Sequence, residues 1–295
     1  MSSIDEAFIR AYRDDALPAV APAAPRSVGE TSAPRLRIHS QDHALAAKAS
    51  ISEEGARRPL SSFAQQTPKV DGRFKPSFEV DAFRWSAVCD ELVERYATCL
   101  RPVQQTLVAA DDAGRSLIGV GGVAAGAGAT TLVASLARLL VEAGKTVAIV
   151  DADFAAAGLA ESLGLAVEIG WEDVLAGRVP LAESVVHSIA DRIAIVPLRS
   201  GGAAAAAGLD SIHASVTAGV LRYHYDMVLF DLGALAEPAR AATASRVARQ
   251  CRLDGLILAA GPHRTLAANP QRLMQTAPEL AAICLGVVEN QLTAA

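Results

Sequence analysis

The run Val120-Gly121-Gly122-Val123-Ala124-Ala125-Gly126-Ala127-Gly128-Ala129-Thr130-Thr131-Leu132 holds residue types that can bind phosphate through backbone amides. An apolar segment, Leu117 to Val120, leads into it. Gly126 and Gly128 let the backbone approach an anion closely. Thr130 and Thr131 open a helical pattern that continues through Ala134, Leu136 and Leu139. A phosphate-binding loop ends in Gly-Lys-Ser/Thr, with the lysine ammonium reaching the β- and γ-phosphates. Here the triplet is Gly128-Ala129-Thr130, so the cradle is present and its lysine is not. The same small residues would also suit a strand-to-helix turn that binds nothing.

Further candidate groups fall at the ends of apolar runs. Val147–Val150 ends in Asp151-Ala152-Asp153, Met227–Phe230 ends in Asp231, and Leu285–Val288 ends in Glu289-Asn290. A carboxylate at the tip of a buried strand is costly unless it binds a cation or orients water. Asp231 has the placement of an aspartate that holds magnesium beside a phosphate loop. It could instead cap the next helix, but Gly233 and Pro238 delay that helix and favour a site.

These residues must be positioned by alternating strands and helices. Candidate strands are Thr146–Asp151, Arg192–Leu198, Met227–Asp231, Gly255–Ala260 and Ile283–Val288. Helical patterns lie between them at Gly158–Leu163, Leu209–Leu221, Pro238–Gln250 and Leu266–Met274. Ahead of the loop, Trp85, Val88, Cys89, Leu92, Val93 and Tyr96 repeat at helical spacing through about residue 100. The alternation predicts an α/β, doubly wound, mostly parallel sheet with helices on both faces. Ligands of such sheets sit at the carboxyl ends of the strands, where the loop and the carboxylates fall.

The chain divides near residue 80. Residues 13–80 carry seven prolines among Ala, Ser, Arg and Glu and read as a disordered linker. Residues 1–12 differ. Ile4, Ala7, Phe8, Ala11 and Tyr12 share a helical face, and Ser3 with Glu6 could form a capping box, which suggests a docking segment for a protein partner. Residues 83–295 form the expected globular domain. The net charge of -5 gives no general attraction to nucleic acid. Cys89, Cys99, Cys251 and Cys284 lack metal-ligand spacing, and Cys251 and Cys284 are expected to be buried thiols. No stretch approaches the ~20 apolar residues of a membrane span, and the first residues lack a signal-peptide pattern, so a cytoplasmic location is expected.

The order of motifs over residues 83–290 resembles the bacterial tyrosine kinases and the wider ParA/MinD family of P-loop ATPases. The matching stretches are Val150-Asp151-Ala152-Asp153 with Leu159–Leu165, then Gly170-Trp171-Glu172-Asp173-Val174-Leu175-Ala176-Gly177, Tyr225–Asp231 and Leu285–Asn290. The resemblance implies ATP or ADP with Mg2+ as cofactors. It implies that Gly126, Ala127, Gly128, Ala129, Thr130 and Thr131 cradle phosphates and that Asn290 contacts the base. Thr130, Asp151 and Asp231 would serve the metal, and Asp151 and Asp231 the chemistry.

The departures from that family bear on activity. Ala129 replaces the loop lysine and Ala124 the earlier signature lysine, while Leu232-Gly233-Ala234 follows Asp231. The last tyrosine is Tyr225, so a self-phosphorylated tyrosine tail is not expected. Lys145 should lie at the opposite edge of the sheet, whereas Arg240 and Arg264 follow strand ends. The expected function is a catalytically degenerate nucleotide-binding protein with a regulatory or scaffolding role beside polysaccharide synthesis and export. Expected associations are a partner at residues 1–12, such as a membrane export component that recruits the chain to the inner membrane face, and a homo-oligomer. The alternatives are an active ATPase or tyrosine kinase that recruits another basic residue, and a ParA/MinD-like positioning ATPase.

Overall fold

The computed structural model describes residues 74–261 and 277–290. Eight strands form one sheet: β1 (Phe78–Val80), β2 (Leu117–Gly122), β3 (Val147–Asp151), β4 (Val186–Ser188), β5 (Ile193–Val196), β6 (Met227–Ala234), β7 (Gly255–Ala260) and β8 (Cys284–Glu289). Their order across the sheet is β1-β4-β5-β3-β6-β2-β7-β8. All neighbours pair in parallel except β4 with β5. The doubly wound sheet is therefore mostly parallel, with β1 and β4 reversed at one edge.

The helices are α1 (Ala87–Glu94), α2 (Ala97–Asp112), α3 (Ala129–Glu142), α4 (Leu159–Ser162), α5 (Trp171–Leu175), α6 (Ala203–Ala206), α7 (Ile212–His224), α8 (Pro238–Cys251) and α9 (Pro278–Ala282). Successive residues of a strand point to opposite faces, and each face carries its own core. Ile118, Val120, Val147, Ile149, Met227 and Leu229 pack with Leu107, Leu136 and Leu140 of α2 and α3. Leu117, Ala148, Val150, Val228 and Phe230 pack with Leu221, Ala244 and Val247 of α7 and α8. β2, β3, β5 and β7 are buried along their whole length because helices cover both sides.

The expected helix over residues 83–100 is two helices. Ser86 accepts a hydrogen bond from the Cys89 amide at 3.2 Å and starts α1, and the chain turns at Arg95 and Tyr96 before α2. Trp85 precedes the helix, and its Nε1 donates to Asp191 Oδ1 at 2.8 Å. Asp191 Oδ2 also accepts from the Phe83 amide at 2.8 Å. This clasp ties the start of the domain to the turn between β4 and β5.

The expected linker over 13–80 runs too far, because Phe78–Val80 pair with Val186–Ser188. Three residues are too few to show a strand period, and their register comes from β4. Residues 1–12, 13–73 and the expected helix Leu266–Met274 lie outside the described residues. Cys251 is buried as expected, whereas Cys284 is only partly covered.

Candidate functional site

β2 ends at Gly122, and the next six residues turn back to start α3. The Val123 amide donates to Ala259 O at 2.9 Å, which ties the start of the turn to β7. The Ala127 amide donates to Ala124 O at 3.2 Å and closes the loop on itself. Gly126 and Gly128 have φ of 74° and 88°, a region open to glycine at no steric cost. Gly128 caps α3 without a side-chain hydrogen bond. By helix geometry, the amides of Ala129, Thr130 and Thr131 have no acceptor within the helix and point toward the loop's concave side. This is the arrangement that attracts an anion.

The two carboxylates arrive from β6, which pairs with β2, and from β3, which pairs with β6. Asp151 and Asp231 are partners in the β3–β6 register. Asp151 has the parity of Val147 and Ile149, and Asp231 that of Met227 and Leu229. Both side chains therefore project on the α3 side of the sheet. Asp231 is hydrogen-bonded to Thr130 on the first turn of α3 and accepts the Gly233 amide at 3.1 Å. Asp151 accepts the amides of Asp153 and Leu159, each at 3.2 Å.

Asp151 and Asp231 are 1% and 2% exposed, and no described cation is paired with either. Burial, then the Asp231 charge, pushes the Asp151 carboxyl up to about 8. Burial, then the Asp153 charge, pushes Asp231 up to about 6 against the pull of Thr130. Lys145 is held at the far edge, 2.6 Å from Asp111 Oδ2. Arg240 lies 3.5 Å from Glu237 Oε2, and Arg264 lies outside the described residues.

Asp231 does not cap a helix: β6 continues to Ala234, and α8 starts at Pro238. Asn290 follows β8, and its Nδ2 donates to Ala127 O at 3.2 Å. A Cβ on Gly128 would lie 2.8 Å from that nitrogen, so the glycine also makes room for the asparagine. The structure thus brings Gly126, Ala127, Gly128, Ala129, Thr130, Thr131, Asp151, Asp231 and Asn290 to one end of the sheet.

Two contributors to the site carry weaker sequence signals. Asp153 accepts the Ala155 and Ala156 amides at 3.0 and 3.2 Å, and its carboxylate rests against Gly233. Gly233 has φ of 62°, and any side chain there would collide with Asp153. Asp153 was legible only as part of an Asp-x-Asp motif, and the need for Gly233 only once β6 and the loop after β3 are neighbours. Gly119 and Gly121 act similarly: a Cβ on either would strike Leu232 or Leu235, which follow Asp231.

A phosphate loop between a parallel strand and a helix, with carboxylates from the next two strands of the sheet, β6 and β3, defines a P-loop nucleotide-binding fold of the ParA/MinD type. The profile of the family "Cellulose biosynthesis protein BcsQ" matches residues 115–275, more than half of the chain, and the chain belongs to that family. Solved structures share the fold. The chimerical protein CapA2B2 aligns with a TM-score of 0.61 at 16% identity, over 73% of this chain and 95% of that one. The kinase domain of Escherichia coli tyrosine kinase ETK aligns with a TM-score of 0.59 at 18% identity, over 70% and 82% of the two chains. The BceF tyrosine kinase domain aligns with a TM-score of 0.56 at 19% identity, over 69% and 82%. No curated protein matches the chain.

Proposed function

We propose that this chain is a nucleotide-binding regulatory or scaffolding component of cellulose synthesis, with turnover at or near background. The observation that carries the reading is Ala129, seated where a transferring phosphoryl group would meet its lysine, with no described cation beside Asp151 or Asp231. The residues fit a nucleotide with magnesium. The glycines and first-turn amides suit phosphates. Thr130, Asp151 and Asp231 suit a hard cation that takes its remaining ligands from phosphate and water. Among the described residues, no group of three or more His, Cys, Asp or Glu could hold a metal alone, so the cation would enter with the nucleotide.

Bound magnesium would neutralise phosphate charge. Asp231 would orient Thr130 toward that cation, Asp151 would accept a proton from water or a hydroxyl, and Asn290 would meet the base. A missing transition-state charge typically lowers the rate by about 10²–10³. Binding depends less on that charge, because the amides and the helix terminus remain.

The test is ATP and ADP affinity, with and without magnesium, alongside turnover. Binding should be weak and hydrolysis close to background. Ala129→Lys should tighten binding roughly tenfold or more, the worth of one charge-assisted hydrogen bond of ~1.5–3 kcal/mol. If the unmodified chain hydrolyses ATP as fast as Ala129→Lys, the degenerate site is wrong and a recruited base is favoured. The proposed associations are a homo-oligomer and a protein partner that engages residues 1–12, such as a membrane export component. No described helix is long and apolar enough to cross a membrane, so recruitment to one would fall to that partner.

A further inference from the structure

α7 buries Ala214, Thr217, Ala218 and Leu221 against the sheet. Its other side carries Ile212, Val216 and Tyr223, which are 72%, 51% and 85% exposed. These residues are spaced by four and seven, so they lie along one stripe of the helix. Beside Val216 opens a cavity of ≈ 370 Å³ walled by Val174, Val179, Pro180 and Leu181, with His213 at its margin. An apolar stripe with an adjoining apolar pocket suits an amphipathic helix whose aromatic residue fills the pocket.

The chain itself reaches this face. The first described residue, Phe74, packs at a tilt against His224 at the end of α7, with ring centroids 5.4 Å apart. Residues 1–73 therefore join the fold at the C-terminal end of the stripe. On a helix, the spacing of Ile4, Phe8, Ala11 and Tyr12 would put them on one face. A flexible chain of the length of residues 13–73 would have a root-mean-square reach of about 45 Å. α7 is only about 20 Å long at 1.5 Å per residue. The whole face is therefore within reach, at an effective concentration on the order of millimolar. A second copy docked on one such stripe would bury far less than the ~800 Å² per partner of a stable interface.

We propose that residues 1–12 dock as a short helix on α7 of their own chain, with Phe8 in the pocket beside Val216. The contact is self-masking: a partner that captures residues 1–12 must first displace them from α7. It is independent of whether nucleotide binds.

Amide hydrogen exchange of the full chain tests the contact. Phe8→Asp should speed exchange of the α7 amides by roughly tenfold, the occupancy of a ~100 μM contact at millimolar effective concentration. A synthetic peptide of residues 1–12 added to the Phe8→Asp chain should restore protection in a saturable way. Val216→Asp and Tyr223→Asp lie on exposed positions that tolerate charge, and each should remove both effects. Unchanged α7 exchange in Phe8→Asp would overturn the proposal, as would equal peptide binding to the Val216→Asp chain. Protection of α7 that depends on protein concentration and persists in Phe8→Asp would assign the face to a second copy and also overturn it.

Discussion

At Ala129, Asp151 and Asp231 the charges lean one way. The loop lacks its cation, and two buried carboxyls face each other across adjacent strands. Asp151 is held near 8 in the fold against 3.8 as an ordinary carboxyl. Between those values the folded state keeps a proton that the unfolded chain has lost. This group's contribution to folding is therefore complete below the ordinary value and is lost as pH rises through the folded one. Asp231 acts in the same sense up to about 6. Asp151→Asn removes the larger of these effects, so its melting temperature relative to the parent should climb from about pH 5 to about pH 8. A flat difference over that range would show that the folded carboxyl is already ionised. Magnesium nucleotide should draw the ionised forms and release protons near neutrality, seen as a binding enthalpy that depends on the buffer. Gly233→Ala puts a side chain into left-handed backbone and into Asp153. It should cost roughly 1–3 kcal/mol in denaturant unfolding.

Among the elements, α5 and the loop after β5 brace the rim of the site. Glu172 is 5% exposed and accepts the Arg199 amide at 3.2 Å and the Ser200 amide at 3.0 Å. Asp173 accepts the Gly170 amide at 3.0 Å and pairs with Arg178. The loop held by Glu172 passes beside the backbone of Phe154 and Ala155, just beyond Asp153. Glu172→Ala leaves those amides without an acceptor and should cost ~1–3 kcal/mol. A domain of this size should then melt about 2–4 °C lower per kcal/mol, with faster exchange at residues 199–202 as the local signature. Element identity was legible where apolar runs are long. β7 matches its expected span at both ends, and α8 differs by one residue. β1 and β4 were not legible, because three residues each show no period and the half-exposed Phe78 gives no face.

Across the whole molecule, Trp171 links elements far apart in sequence. It is fully buried, with ring centroids 5.6 Å from Phe154 and 6.3 Å from Phe230. Its Nε1 lies 3.4 Å from Thr217 Oγ1 on α7. Trp171→Ala should cost roughly 3–5 kcal/mol, the range for deleting a large buried aromatic side chain. Chemical denaturation followed by far-UV circular dichroism would measure it. A loss under 1 kcal/mol would mean that this core collapses into the gap far more freely than packed interiors do.

The doubly wound architecture and the address of the site follow from the sequence. Loop, Asp151, Asp231 and Asn290 each end an apolar run, and parallel strands put all such ends on one edge. The absent lysine at position 129 is equally a matter of sequence. Tertiary structure decided the relations between those ends. The registers of β3, β6 and β2 set Asp151 beside Asp231 and bring Asp231 onto Thr130. The β3–β6 neighbourhood also brings Asp153 against Gly233, and the pairing of β8 on β7 and of β7 on β2 brings Asn290 against Gly128. Strand order and close approach depend on contacts between residues as much as 163 positions apart, as Asn290 and Ala127 show. Local pattern carries no information about such pairs, because periodicity reports which face a side chain takes and not which neighbour it meets.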